Sequence, residues 1–143
     1  MLPTVNALRY VVPLKEGGSL PGVMEADDCG TWVVKYRGAG QGVKVLVAEI
    51  IVAGIAGAVG VRVPELKLIE MPEQIAKYEA DEEVQDLLNA SVGLNLAMDF
   101  LPGAFNYDGS TPPPPQDAAA ILWLDAYVAN IDRTCLLYTS PRP

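Results

Sequence analysis

The chain has 143 residues, a formal net charge of −8 and no histidine. Half of its residues are apolar and 20% are charged, which favours a folded core over a disordered chain. An acidic chain repels phosphate backbones, so we expect no direct nucleic-acid binding. The lack of histidine excludes histidine-based catalysis and histidine metal ligands. Its two cysteines are too few for a disulfide framework or a zinc site, a pattern typical of a cytoplasmic protein.

Three short strands are predicted in the first quarter of the chain, over residues 5–14, 20–25 and 31–36. The third is the densest in β-branched and aromatic side chains. Turn-forming clusters at residues 15–19 and 27–30 separate the three strands. This spacing predicts an antiparallel meander.

A glycine-rich loop over residues 37–42 leads into a helix predicted over residues 44–59, with Gly60 as its stop. The helix is apolar nearly all round, so we expect it to be buried. Continued to residue 63, the apolar stretch is also long enough to span a bilayer. Glu49 lies inside it, and a carboxylate at the bilayer centre costs about 2.5–3.5 kcal/mol on insertion scales. A buried helix is therefore favoured, and a membrane span is the alternative.

Two further strands and two further helices follow. The strands are predicted over residues 62–70 and 94–101. Pro72 opens a polar helix that runs to about Asn89, since proline suits the first helical turn. Asp117 is the expected N-cap of a helix over residues 118–129, which is mostly apolar and expected to be buried.

Lys35 and Glu49 are the first candidates for chemistry. Lys35 ends the strongest predicted strand, and Glu49 lies fourteen residues later on the apolar helix. A charge set in apolar sequence must be paired or it is costly, and a strand packs against the helix that follows it. In kinases such a lysine holds the α- and β-phosphates of ATP, and a helix glutamate holds the lysine. A salt bridge that only ties strand to helix is the alternative.

Two further candidates lie where a kinase places functional groups. Gly17, Gly18 and Ser19 separate the first two predicted strands, the position of a loop that covers phosphates, although most glycine clusters are simple turns. Asp132 follows the last predicted helix, 97 residues after Lys35. An aspartate there would orient the attacking hydroxyl, and a helix C-terminal turn is the alternative role.

The glycines after Lys35 allow a rival interpretation. Gly38, Gly40 and Gly42 lie between a strand and a helix, as at the start of a dinucleotide-binding βαβ unit. Their spacing is shorter than Gly-x-Gly-x-x-Gly, and the acidic Glu70 falls later than the expected distance of roughly 20 residues. A Rossmann-type oxidoreductase therefore stays an alternative, as does a non-catalytic interaction or membrane module. The sheet around Lys35 discriminates, because a kinase needs antiparallel strands there and an oxidoreductase parallel ones.

Five segments together resemble the HipA-like kinase domain of bacteria. They are residues 32–42, 47–50, 60–65, 94–104 and 125–134, and the resemblance covers about residues 5–134. It implies an α+β fold with a protein-kinase-like N-lobe, made of an antiparallel sheet and one packed helix. That lobe and the hinge would occupy residues 1–101, and the start of a helical C-lobe residues 102–134.

The resemblance also implies roles for particular residues. Lys35 would contact the phosphates with Glu49 as its partner, Asp132 would be the catalytic aspartate, and Arg133 would neutralise charge beside it. The adenine-binding hinge would consist of Met98, Asp99, Phe100 and Leu101. ATP and Mg²⁺ are the implied cofactors, and the acceptor is a serine or threonine hydroxyl of a protein substrate that the sequence does not identify.

The end of the chain departs from the family. The family continues with an asparagine and then a metal-binding aspartate, whereas here Cys135 to Pro143 follow Thr134. The residues Cys-Leu-Leu-Tyr-Thr-Ser are what the end of a common transposon-based sequencing adapter encodes in one reading frame. We interpret residues 135–143 as a non-native tail and the chain as a truncated fragment.

The absence of both metal ligands predicts that the chain as written does not turn over ATP, because phosphoryl transfer relies on a metal to neutralise developing charge. The measurement is steady-state ATP hydrolysis by the purified chain with Mg²⁺. Clear turnover that Lys35→Ala abolishes would contradict this prediction.

Overall fold

The computed structural model describes residues 1–14, 20–40, 42–103 and 111–130. They divide into two compact units. The first comprises Met1–Ile50 and Pro64–Leu101, and the second comprises Ile51–Val63 and the described residues from Pro102 onward. The first unit holds all five described strands and every candidate residue that the structure describes.

The five strands form a closed barrel. They are β1 (Thr4–Pro13), β2 (Gly22–Ala26), β3 (Thr31–Lys35), β4 (Leu66–Met71) and β5 (Gly93–Asp99), in the spatial order β1-β2-β3-β5-β4. The predicted meander of β1, β2 and β3 is confirmed as antiparallel, and β5 is antiparallel to both β3 and β4.

The expectation of an antiparallel sheet needs one correction, because β1 and β4 pair in parallel and close the barrel. β1 can serve two neighbours because it is ten residues long. Thr4–Asn6 pair with β4, while Ala7–Pro13 pair with β2. Two register shifts lie within the part of β1 that pairs with β2, and such irregularities bend a strand.

The core is formed by inward side chains of the barrel strands together with buried residues from 73–76 and 82–90. Side chains alternate along β3, so that Trp32, Val34 and the following Tyr36 point inward while Val33 and Lys35 lie on the outer face. The buried cluster consists of Val5, Ala7, Met24, Ala26, Trp32, Val34, Tyr36, Ile69, Met71, Ala76, Val84, Leu88 and Ala97. Burial of this apolar area is the main stabilising term of the first unit.

Three α-helices are described: α1 (Val43–Ala58), α2 (Glu82–Ala90) and α3 (Pro115–Tyr127). α1 lies within one residue of its prediction at each end, and Gly60 follows it with a φ of +82°, as a helix stop requires. Its first half belongs to the first unit and its second half to the second. Among the described residues, no helix has the length and apolarity needed to cross a bilayer.

The single polar helix predicted from Pro72 to Asn89 is wrong. A short 3₁₀ helix spans Glu73–Ala76, and α2 begins only after Asp81. The Asp81 carboxylate accepts hydrogen bonds from the backbone N–H groups of Glu83 and Val84, so it caps a new helix start.

Of the other boundaries, the starts of β4 and α3 differ most from their predictions. β4 begins at Leu66 and not at residue 62, because Pro64 has no N–H to give to a ladder. α3 begins at Pro115 with Pro114 at its N-cap position, so Asp117 lies in the first turn and is not the cap.

The apolar helices are less buried than predicted. In α1, Leu46 and Ala56 are buried while Val43, Val47 and Ile51 are exposed. In α3, Leu124 is buried, whereas the exposed large side chains are Leu122, Trp123 and Tyr127. An all-round apolar composition shows which side chains can be buried, but burial also requires neighbouring elements to cover them.

A network around Lys67 fastens the turn between β2 and β3. The Lys67 ammonium donates to Asp28 Oδ2 at 2.8 Å and lies 4.5 Å from the ring centroid of Trp32. Asp28 Oδ1 accepts from the Trp32 indole at 3.2 Å and from the Gly30 N–H at 2.9 Å. The bond from Lys67 holds the pKa of Asp28 below its ordinary 3.8, and the bond to Asp28 raises the pKa of Lys67 above its ordinary 10.5.

This network predicts a pH-dependent stability. Because the folded pKa of Asp28 is depressed, its contribution is complete above pH 3.8 and is lost as the pH falls further. The raised pKa of Lys67 makes its contribution complete below pH 10.5 and lost at higher pH. Urea unfolding should give a stability difference between wild type and Asp28→Asn that is constant around neutral pH and shrinks at both extremes. A difference that does not vary with pH would contradict this assignment.

Gly22 predicts a second, steric effect. A Cβ at this position would overlap the Tyr36 hydroxyl and lie 2.7 Å from Tyr10 Cε2. Gly22→Ala should therefore lower the free energy of unfolding by about 1–3 kcal/mol, the usual cost of overpacking. Gly40→Ala is the matched control, since a Cβ there meets nothing within 4 Å. Equal urea midpoints for the two variants would show that the contact at Gly22 relaxes without cost.

Candidate functional site

The structure brings Lys35 and Glu49 together. Lys35 is the last residue of β3, and its ammonium donates to Glu49 Oε1 on α1. The two side chains are 26% and 37% exposed, so the pair is partly shielded and still open to a ligand. Both residues belong to the first compact unit. The predicted contact between strand and helix therefore exists.

The loop between β3 and α1 uses its backbone N–H groups within the fold. Arg37 N–H donates to Asn95 Oδ1 at 2.8 Å, and Gly38 N–H donates to Ser91 Oγ at 3.1 Å. The N–H groups of Ala39 and Gly42 donate to carbonyls inside the same loop. These donors are consequently engaged and do not form a cradle for an anion.

The surroundings of this loop also disfavour a pyrophosphate. A cavity of about 360 Å³ beside Gly38 and Gly40 is lined by the carboxylate residues Glu83 and Asp86. Carboxylates repel phosphate. β3 is antiparallel to both of its neighbours, whereas the oxidoreductase alternative requires parallel strands. The geometry therefore gives the rival interpretation no support.

Sequence reasoning missed a buried polar group next to this loop. The Asn95 side chain on β5 is 2% exposed and makes three hydrogen bonds, accepting from Arg37 N–H and donating to the carbonyls of Ser91 and Gly93. Ser91 is fully buried. An asparagine inside the apolar run Leu94–Leu101 was the available signal, because a buried amide must be satisfied.

The predicted hinge is partly inside the barrel. Met98 and Asp99 still belong to β5, paired with Val33 and Trp32 of β3. The N–H of Asp99 donates to the Glu65 carbonyl, and the N–H of Phe100 donates to the Thr31 carbonyl. Leu101 is exposed and is the last residue of the first unit. The chain therefore leaves the barrel at Phe100 and Leu101, the last two of the four residues predicted for the hinge.

Five predicted residues lie outside the described part of the chain: Gly17, Gly18, Ser19, Asp132 and Arg133. The chain before and after the three residues Gly17, Gly18 and Ser19 is joined by a hydrogen bond from the Leu14 N–H to the Pro21 carbonyl. Before the second group, Asn130 bonds to Asp125 through both its backbone and its side-chain amide. The roles of the five residues stay predictions.

In a comparison with protein families, residues 9–139 match the model described as HipA-like kinase. No curated protein sequence and no solved structure matches the chain. The matched region includes Lys35, Glu49 and the segment that leaves the barrel. It also reaches into residues 135–143, whose interpretation as a non-native tail stays a prediction. Because the match spans most of the chain, this protein belongs to the HipA-like kinase family.

Proposed function

We propose that the first unit is the ATP-binding small lobe of a bacterial, cytoplasmic HipA-like kinase that phosphorylates a serine or threonine hydroxyl. The ion pair between Lys35 and Glu49 is the observation that carries this proposal. In protein kinases the phosphate-binding lysine lies on the third strand, and its glutamate lies on the helix that follows. Lys35 ends β3 and Glu49 lies on α1, so the chain reproduces that arrangement.

The lysine is suited to a triphosphate. An ammonium has three donors, and Glu49 takes one of them. The remaining donors can bind phosphate oxygens, and charge-assisted bonds of this kind are about twice as strong as neutral ones. The chain is acidic overall, so a nucleotide gains local attraction chiefly where a cation is held in place. Glu49 supplies that constraint by fixing the direction of the lysine side chain.

We propose that the adenine ring of ATP binds where the chain leaves the barrel. The N–H groups of Asp99 and Phe100 are already bonded to neighbouring carbonyls, so neither can donate to a base without breaking the barrel edge. Leu101 follows them and is exposed. We therefore assign the backbone contact with adenine to Leu101, with Met98 as an apolar neighbour on β5.

The remaining catalytic parts rest on the family resemblance. Asp132 would orient the acceptor hydroxyl, Arg133 would neutralise charge beside it, and Gly17, Gly18 and Ser19 would cover the phosphates. Within the described ranges, no group of three acidic or cysteine side chains is placed to hold a metal ion.

ATP affinity of Lys35→Met tests the proposal. The lost bonds to phosphate should weaken binding by about tenfold or more, since a hydrogen bond to a charged group contributes roughly 1.5–3 kcal/mol. Glu49→Gln should weaken binding less, because the lysine keeps its charge and loses only its fixed direction. Isothermal titration calorimetry with ATP gives the dissociation constants.

Lys77→Met is the matched control. Lys77 is an exposed lysine that directly follows the 3₁₀ helix, so its removal changes the net charge equally without touching the pair. Circular dichroism verifies that each variant is folded. Equal affinities for wild type and Lys35→Met would show that the lysine does not contact the nucleotide, and the proposal would fail.

A further inference from the structure

Asn95 continues the contact between β3 and β5 where their backbone ladder ends. The last paired residues are Lys35 on β3 and Leu96 on β5. Beyond that pair, Asn95 Oδ1 accepts the Arg37 N–H at 2.8 Å. Its Nδ2 donates to the Ser91 carbonyl at 2.7 Å and to the Gly93 carbonyl at 2.8 Å. The side-chain amide thus uses its oxygen and both of its hydrogens in a buried position.

A second bond fixes the next residue of the same loop. Gly38 N–H donates to Ser91 Oγ at 3.1 Å, and Ser91 is fully buried. The approach is so close that a Cβ on Gly38 would lie 2.7 Å from that oxygen and 2.8 Å from the backbone carbon of Ala90. Two consecutive N–H groups are therefore held, that of Arg37 by β5 and that of Gly38 by the turn before β5.

These two bonds restrain the path of the backbone between Lys35 and Glu49. Only residues 36–42 separate Lys35 from the start of α1. Two of these residues, Arg37 and Gly38, are bonded to Asn95 of β5 and to Ser91 of the turn before it. Fixing Arg37 and Gly38 therefore restrains the end of β3 on one side and the start of α1 on the other. Glu49 then follows within the rigid helix.

We propose that Asn95 is a positioning residue that holds Lys35 and Glu49 in contact. It does so through the backbone of Arg37, with Ser91 as its support. Its consequence for nucleotide binding rests on the proposed function, but its effect on the ion pair does not. A merely structural role would change stability and leave the pair intact in folded molecules, whereas a positioning role opens the pair while the barrel stays folded.

Lysine reactivity in Asn95→Leu separates the two roles. Leucine has a similar size but removes all three hydrogen bonds. Brief acetylation followed by peptide mass spectrometry measures the rate at each lysine. Lys35 should react about two- to fivefold faster than in wild type, the range expected for loss of a partly exposed ion pair. Glu49→Gln provides the reference rate for an open pair.

Lys67 is the internal control, because its pair with Asp28 belongs to a different network and reports on general unfolding. Met24→Ala creates a cavity in the barrel core and is the control for general destabilisation. It should raise the acetylation rates of Lys35 and Lys67 in parallel. If Asn95→Leu does not fold, Ser91→Ala is measured in the same way and should also raise the acetylation rate of Lys35.

An acetylation rate of Lys35 that is unchanged relative to that of Lys67 in the folded variant overturns the proposal. If the variant raises the acetylation rate of Lys35 alone while the wild-type chain binds no ATP, the positioning role of Asn95 stands and the proposed function fails.

Discussion

The ion pair between Lys35 and Glu49 is the interaction on which the functional account depends. A lysine at the end of a buried strand and a carboxylate on an apolar helix are each costly unless something compensates their charge. In contact they compensate each other and remain partly exposed to a ligand. Binding a triphosphate requires a lysine of this kind, whose charge is compensated and which still has donors free for an anion.

The barrel makes that contact possible through its register. β3 lies between β2 and β5, so its inward side chains are fixed in the core and Lys35 is directed to the outer face. Asn95 and Ser91 carry this restraint past the end of the ladder into the loop that leads to α1. The Lys67 network fastens the opposite end of β3, close to the point where the chain leaves the barrel. Both ends of the strand that bears the lysine are thus held by buried or half-buried polar groups.

Features with local causes could be predicted from the sequence. The density of β-branched and aromatic side chains predicted β3, and the long apolar run predicted α1. The need to pair two charges predicted the contact between Lys35 and Glu49. Non-local features could not be predicted. The parallel pairing of Thr4–Asn6 with β4 joins residues far apart in sequence, and no local pattern encodes it. The partner of Asn95 could not be predicted for the same reason, since Arg37 is 58 residues away. The break before α2 is encoded locally by the capping side chain of Asp81, but Pro72 also signals a helix start nine residues earlier.

Affinity labelling with an acyl-phosphate derivative of ATP tests the central claim most directly, because the reagent transfers its acyl group to an amine beside the bound phosphates and releases the nucleotide. Peptide mass spectrometry identifies the labelled lysine. The account predicts labelling at Lys35 that excess ATP suppresses. Labelling spread over the exposed lysines, or labelling of Lys35 that excess ATP does not reduce, would contradict it.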